Sequence, residues 1–196
     1  MKLAATFLTT FILLSVIQTA SAEKATAVFA GGCFWCLEAD FEKLPGVLTA
    51  ESGYSGDTKA TATYEAVSSG STKHAESVRV TYDTEKLSYE TLVNYFWKHI
   101  DPTVKKQQFC DHGPQYRSVI FYGSPKELDI SNATKNAILK DGKISTIETE
   151  IVGAGEFYLA EDYHQDYYKK NTIRYNFYRK SCGRDKRVKE IWSKEG

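Results

Sequence analysis

The chain is poor in the features that would set it apart from ordinary globular proteins. It has 4 prolines and 4 cysteines in 196 residues, and no internal repeat, low-complexity tract or linker long enough to divide two domains. Neither sign of charge prevails: 25 basic residues face 25 acidic ones, which argues against a nucleic acid or an anionic membrane as partner. The longest apolar run, "FLTTFILLSVIQ", is short for a bilayer span. It follows Met1-Lys2 and ends at Ala20-Ser21-Ala22, a small-residue cleavage pattern. Residues 1–22 are therefore expected to be a cleaved signal peptide, and 23–196 a single domain large enough for a full hydrophobic core. The expected protein is exported, periplasmic or secreted, a monomer, and without stable membrane insertion.

What is present is a regular alternation of strand-like and helix-like segments. "ATAVFAGG" reads as a buried strand ending in two glycines, followed by an amphipathic helix from about Phe34 to Lys43. "VLTAESGYSG" and the alternating "AESVRVTYD" read as strands, and "TYEAVSSG" as a short helix between them. "SYETLVNYFWKHI" has helical spacing with Ser88 as N-cap, and "SPKELDISNATKNAILKDG" opens on Ser124-Pro125 and closes at Gly142. "QYRSVIFY" and "STIETEIVGAG" read as strands and "AEDYHQDYYKKN" as helical, while the tail from Thr172 onward reads as irregular, with one turn at "RVKEIW". Connections of uneven length and strands with one solvated face predict an α+β single-domain sandwich. Its mixed sheet is built on split βαβ (ferredoxin-like) units and is followed by an irregular C-terminal tail.

Two of the four cysteines stand two aromatics apart in "GGCFWC". A Cys33–Cys36 cross-link closes so small a loop that it contributes little stability, so the pair points to chemistry. Cys33 falls where a strand hands over to a helix, and free backbone N–H groups with the macrodipole there favour a thiolate. Cys36, three residues on, shares its face and can attack whatever Cys33 becomes. Gly31 and Gly32 are expected to keep bulk away from the sulfur. Three readings stand at this point: a thioredoxin-like thiol–disulfide site, a zinc or copper clip using Cys33, Cys36, Cys110 and His112, and a redox-active nucleophile.

"GGCFWCLEADF" resembles the signature of the peptide methionine sulfoxide reductase A family, whose usual motif is Gly-Cys-Phe-Trp-Gly. "TYEAV", "KHAESVRV", "DHGPQYRSVIFY" and "AEDYHQDY" follow in the family's order, extending the likeness from about Ala25 to "CGRD". The resemblance implies that Cys33 is the nucleophile that attacks the sulfoxide sulfur and that Glu76 is the acid that protonates its oxygen, for which its pKa must be raised. It implies that Tyr64 and Tyr116 hold the oxygen with neutral hydroxyls, and that Asp111 organises the polar pocket. Phe34 and Trp35 would wall the methyl group, so that one sulfur configuration, the S epimer, is selected. Loss of methionine leaves a sulfenic acid on Cys33, and Cys36, standing where the family usually has glycine, becomes the resolving thiol.

The same resemblance implies no metal and no organic cofactor, oxidised proteins and peptides as substrates, and a thioredoxin-like reductant. Cys110 and Cys182 are left as either a structural disulfide, the favoured option, or a relay. His74, His112 and His164 are expected to be structural, and "KKQQ" and "RKSCGRDKRVK" to be mixed-charge surface runs. The rival functions are a general thiol–disulfide oxidoreductase and a metal-binding protein.

Overall fold

A computed structural model describes residues 23–193; the expected signal peptide lies outside them. In chain order, β1 (Lys24–Gly31) leads through α1 (Phe34–Phe41), β2 (Val47–Ser55) and α2 (Tyr64–Ser68) to β3 (Ala75–Asp83). Then come α3 (Tyr89–Trp97), the short strands β4 (Gln107–Gln108) and β5 (Asp111–His112), β6 (Ser118–Tyr122), α4 (Pro125–Asp141) and β7 (Glu150–Gly153). The chain ends with β8 (Phe157–Leu159), α5 (Tyr167–Lys170), α6 (Thr172–Cys182) and α7 (Arg184–Trp192).

The main sheet runs β7-β6-β1-β3-β2-β8. Strands β1 and β2 are both antiparallel to β3, which lies between them, and β3 and β6 are both antiparallel to β1. Two split βαβ units therefore interlock, giving the expected ferredoxin-like centre. β7 extends it in parallel beside β6, and β8 closes the other edge against β2. The mixed single-domain α+β fold matches the expectation from the sequence.

Strand alternation sends Phe29, Val78, Val80 and Ile120 to the face covered by α1 and α3, and Ala30, Ala75, Val119 and Phe121 to a smaller cluster on the other face. Phe29 stacks between Phe41 of α1 and Phe96 of α3, with ring centroids 5.1 and 5.0 Å away. Each such fully buried ring stabilises the fold by about 1.5–3 kcal/mol. The helix starts follow their caps: Ser88 accepts from the Thr91 N–H at 3.1 Å and Ser124 from the Glu127 N–H at 3.3 Å.

Four local expectations are corrected. Helix α1 is not amphipathic: every residue but Trp35 is buried, because the sheet covers one side and the C-terminal helices cover the other. The tail is not irregular but forms α6 and α7. Its inward stripe is Tyr175, Tyr178, Arg179 and Arg184, side chains that carry apolar bodies without an apolar period. In "AEDYHQDYYKKN" only Tyr167–Lys170 is helical, the preceding turn ending at Asp166 with φ 54°. In "STIETEIVGAG" only Glu150–Gly153 pairs as strand.

Candidate active site

The site is assembled where β1 ends and α1 begins. Gly32 has φ 83°, and a Cβ there would stand 2.6 Å from the Gln108 Cβ; one on Gly31 would stand 2.8 Å from Ile100. The glycines thus allow close packing behind the turn rather than clearing the approach to the sulfur, which corrects the sequence expectation. Cys33 follows at the N-cap position of α1 without a side-chain capping bond, and 6 % of it is exposed.

Alternation along β3 puts Glu76 on the same face as Val78 and Val80, directly under this helix start. Its Oε2 accepts the Phe34 N–H at 3.0 Å, so Glu76, not Cys33, takes up the free amino end of α1. Only 3 % of the residue is exposed. Burial, with the nearby negative charge of Asp111 and Cys36 adding to it, pushes the carboxyl up to about 8, against the pull of the Phe34 N–H. Glu76 therefore holds a proton at neutral pH, as its expected role demands.

Cys33 departs from expectation. Burial first, then the hydrogen bond with Cys36 and the charges of Cys36, Glu76 and Asp111, raise its thiol well above the ordinary range. A helix of eight residues whose first N–H serves a carboxyl does not outweigh that desolvation. Cys36 goes the other way: the Cys33 hydrogen bond, then Arg184 and Arg179, lower its thiol in spite of burial. Burial and its neighbours thus raise Cys33, while Cys36 is lowered.

A cavity of about 110 Å³ is lined by Cys33, Phe34, Trp35, Tyr64, Glu76, Asp111, Tyr116 and Tyr178. Seven of these were singled out from the sequence, and the cavity suits the tip of one side chain. Burial raises the hydroxyls of Tyr64 and Tyr116, so both remain neutral donors. Asp111 reaches the cavity from the β4–β5 hairpin; the Tyr178 hydroxyl donates to its Oδ2 at 2.6 Å. Burial raises Asp111, opposed by that bond, by Arg184 and by the Cys33 N–H. Trp35 lies flat on Tyr167, centroids 3.7 Å apart at 7°, and its Nε1 donates to His164 Nδ1 at 2.9 Å. A larger groove of about 720 Å³, passing Lys73, Arg117 and Glu150, includes none of the expected site residues.

The remaining expectations also find their places. Cys36 is buried beside Cys33, Ala39, Tyr167 and Tyr175 and does not line the cavity. Cys110 and Cys182 are joined in a disulfide that spans 72 residues of sequence. His74 is fastened to the Thr58 carbonyl and His112 to Gln107, so with His164 all three serve as supports. The metal clip does not form: Cys110 is bonded to Cys182. Among the described residues neither Cys33 nor Cys36 belongs to a cluster tight enough for one ion. Sequence reasoning missed Tyr178, Tyr167 and Arg184. The last is 2 % exposed inside the run taken for surface, and no spacing of charges distinguishes such an arginine from a solvated one.

Comparison with known proteins agrees with this geometry. Residues 25–196 match the model of the family described as peptide methionine sulfoxide reductase. The MsrA 2 peptide methionine sulfoxide reductase of Caulobacter vibrioides is 47 % identical over 173 residues, 88 % of each chain. Methionine sulfoxide reductase A of Corynebacterium diphtheriae superposes with a TM-score of 0.69 at 32 % identity, covering 79 % of this chain and 78 % of that one. Mxr1 from Saccharomyces cerevisiae in reduced form gives a TM-score of 0.72 at 29 % identity over 79 % and 90 %. In its complex with Trx2 the same yeast protein gives a TM-score of 0.53 at 21 % identity over 77 % and 89 %. A cysteine-bearing helix start, a buried carboxyl beneath it and this breadth of likeness converge on one assignment: the chain belongs to the peptide methionine sulfoxide reductase A family.

Proposed function

We propose that the protein is exported and repairs oxidised proteins and peptides by reducing the S epimer of methionine sulfoxide, as a monomer, through Cys33. The substrate sulfoxide enters with its oxygen toward Glu76, Tyr64 and Tyr116 and its methyl against Phe34 and Trp35. Cys33 forms a bond to the substrate sulfur as its thiol proton leaves and Glu76 supplies a proton to the oxygen. Oxygen ends on Cys33 as a sulfenic acid, methionine departs reduced, and the exchange is proton-neutral overall: thiol plus sulfoxide gives sulfenic acid plus thioether. A free site that already holds both protons is suited to this, since the arriving oxygen is the base that allows Cys33 to ionise. Asp111 and Tyr178 complete the polar wall.

Cys36 then displaces the sulfenic oxygen to form the Cys33–Cys36 bond, and a thioredoxin-like dithiol reopens it, becoming a disulfide itself. The observation that carries this reading is the Phe34 N–H to Glu76 bond at 3.0 Å, which fixes a proton-bearing carboxyl against the residue that follows the nucleophile. A general thiol–disulfide oxidoreductase would need neither the raised Glu76 carboxyl nor the tyrosine hydroxyls gathered around Cys33. Export is supported by Ala20-Ser21-Ala22 after the apolar run and by a disulfide suited to an oxidising compartment. The test is one turnover of reduced protein without reductant. About one equivalent of methionine from the S epimer, with a Cys33–Cys36 bond mapped by mass spectrometry, is expected; preference for the R epimer would sink the stereochemical claim.

One observation favours a second part for the other disulfide. Cys110 is exposed while the Cys33–Cys36 pair is not, so a protein donor meets Cys110–Cys182 first. Cys182→Ser separates the two cases: the first methionine is released in both. Steady-state turnover with a protein reductant collapses only if that bond relays electrons.

A further inference from the structure

Two arginines press on the face of α1 that carries Cys36. Cys36 and Asp40 are four residues apart and lie one above the other on that face. Arg179 of α6 sets its Nη1 2.9 Å from Asp40 Oδ1 and donates to the Cys36 carbonyl at 3.4 Å. Arg184, the first residue of α7, lies beneath the Gly31–Gly32 turn: Nη1 donates to the Gly31 carbonyl at 3.1 Å and Nη2 to the His99 carbonyl at 2.8 Å. Its guanidinium sits 4.7 Å above the Phe109 ring and its Nε is 3.5 Å from Asp40 Oδ2. Neither Arg184 Nε nor Asp40 Oδ2 makes a hydrogen bond.

Arg184 is thus a buried cation satisfied by neutral carbonyls, sharing the Asp40 carboxylate with Arg179. A guanidinium so placed favours a further negative charge nearby. We infer that Arg184 is a positioning residue for the resolving step: its buried guanidinium, fixed under the Gly31–Gly32 turn, is the counter-charge against which Cys36 acts as the attacking thiolate. In that step the Cys36 sulfur forms a bond to the Cys33 sulfur and the S–O bond of the sulfenic acid breaks. Hydroxide leaves and takes a proton from Glu76 or solvent as water. Cys33 sulfur is reduced by the electron pair that Cys36 loses, so the oxidation is shared between the two.

Of the influences on Cys36, the Cys33 hydrogen bond, Arg184 and Arg179 favour its charge, while burial and Asp40 oppose it. Cys33 and Glu76 also adjoin it, the first raised well above the ordinary thiol range and the second pushed up to about 8. Tyr175 and Tyr178 of α6 are raised by burial and stay neutral, and Tyr167 of α5 packs alongside. Arg184 also favours the charged form of Asp111. The cations that favour the attacking sulfur therefore come from the C-terminal helices, while Cys33 stands at the start of α1 and Glu76 on β3.

This inference rests on Cys36 as the resolving thiol, and the test separates the two. Reduced wild type, Arg184→Gln and Arg184→Lys are each mixed with an S-sulfoxide peptide. Methionine release, dimedone capture of the sulfenic acid and Cys33–Cys36 bond formation are followed across pH. In Arg184→Gln, methionine is still released in one equivalent, dimedone capture rises, and bond formation slows about tenfold at neutral pH, its midpoint moving up by about one pH unit. Arg184→Lys, which keeps the charge, restores the midpoint. An unmoved midpoint in Arg184→Gln, with slower methionine release instead, makes Arg184 a mere support for the turn and overturns the inference. A wild type that yields methionine without the Cys33–Cys36 bond overturns the resolving step itself. Should Arg184→Gln not fold, thiolate absorbance of Cys36 in Cys33→Ser decides: a midpoint below that of an ordinary thiol is expected, and one at or above it is fatal.

Discussion

The two ends of the described chain reach the same cavity by different physics. From β1 to β3 the site rests on apolar packing: Phe29, Phe41 and Phe96 lock strand to helix, and strand alternation alone sends Glu76 under Cys33. From α5 to α7 the supports are Tyr167, Tyr178, Arg179 and Arg184, held by ring stacking, ion pairs and a disulfide. The first half fixes where the reacting atoms stand. The second half brings the charged and hydroxyl partners that face Cys36 and Asp111. Shape is secured by non-directional burial, whereas charge needs partners placed to within an ångström or so.

That contrast can be broken by substitution. The largest effects on stability are expected at the two anchors. Phe29→Ala leaves a cavity costing about 3–5 kcal/mol. Asp40→Ala, which strands Arg184 in a buried place, costs about 3–5 kcal/mol by removing a charge instead. Denaturant unfolding should show comparable losses, and if Asp40→Ala proves neutral the tail is not held electrostatically. Next comes Glu76→Gln, expected to slow single-turnover methionine formation about 10²-fold. In wild type the acid is lost as pH rises through about 8, so that limb of the pH–rate profile should vanish in the variant.

The same substitution has a stability signature. Glu76 is raised from 4.5 to about 8 in the folded protein, so between those values the folded chain holds a proton that the unfolded chain has released. Its favourable contribution is complete below about 4.5 and declines as pH rises through about 8. Glu76→Gln should flatten that decline in the melting temperature, and an unchanged slope would mean the carboxyl is ionised in the fold. Tyr178→Phe removes a hydrogen bond to a carboxylate, worth about 1.5–3 kcal/mol, and should lower kcat more than stability. The smallest effect, about 1 kcal/mol, is expected from Ser88→Ala at the α3 cap, far from both supports; an equal change in turnover there would erase the distinction between the halves.

What the sequence disclosed follows the same line. Alternation in "AESVRVTYD" and the caps at Ser88 and Ser124 are local signals, and they led to the interlocked βαβ centre. The five ordered motifs singled out seven of the eight residues that line the cavity. The protonation of Cys33 was misread because the helix end is visible in a sequence and desolvation is not. The tail was misread because its buried face is built from tyrosine and arginine, which a reader of apolar periods assigns to solvent. Tyr178 and Arg184 entered the site for the same reason unannounced.

The bond between Cys110 and Cys182 has one further consequence. It makes a covalent ring of the intervening backbone, and that ring carries Asp111, Tyr116 and Tyr178, whereas Cys33 and Glu76 lie outside it. A protease that nicks the exposed stretch around Gly153–Gly155 would leave a single molecule, its two pieces still tethered across the cavity wall, until a reductant severs the link.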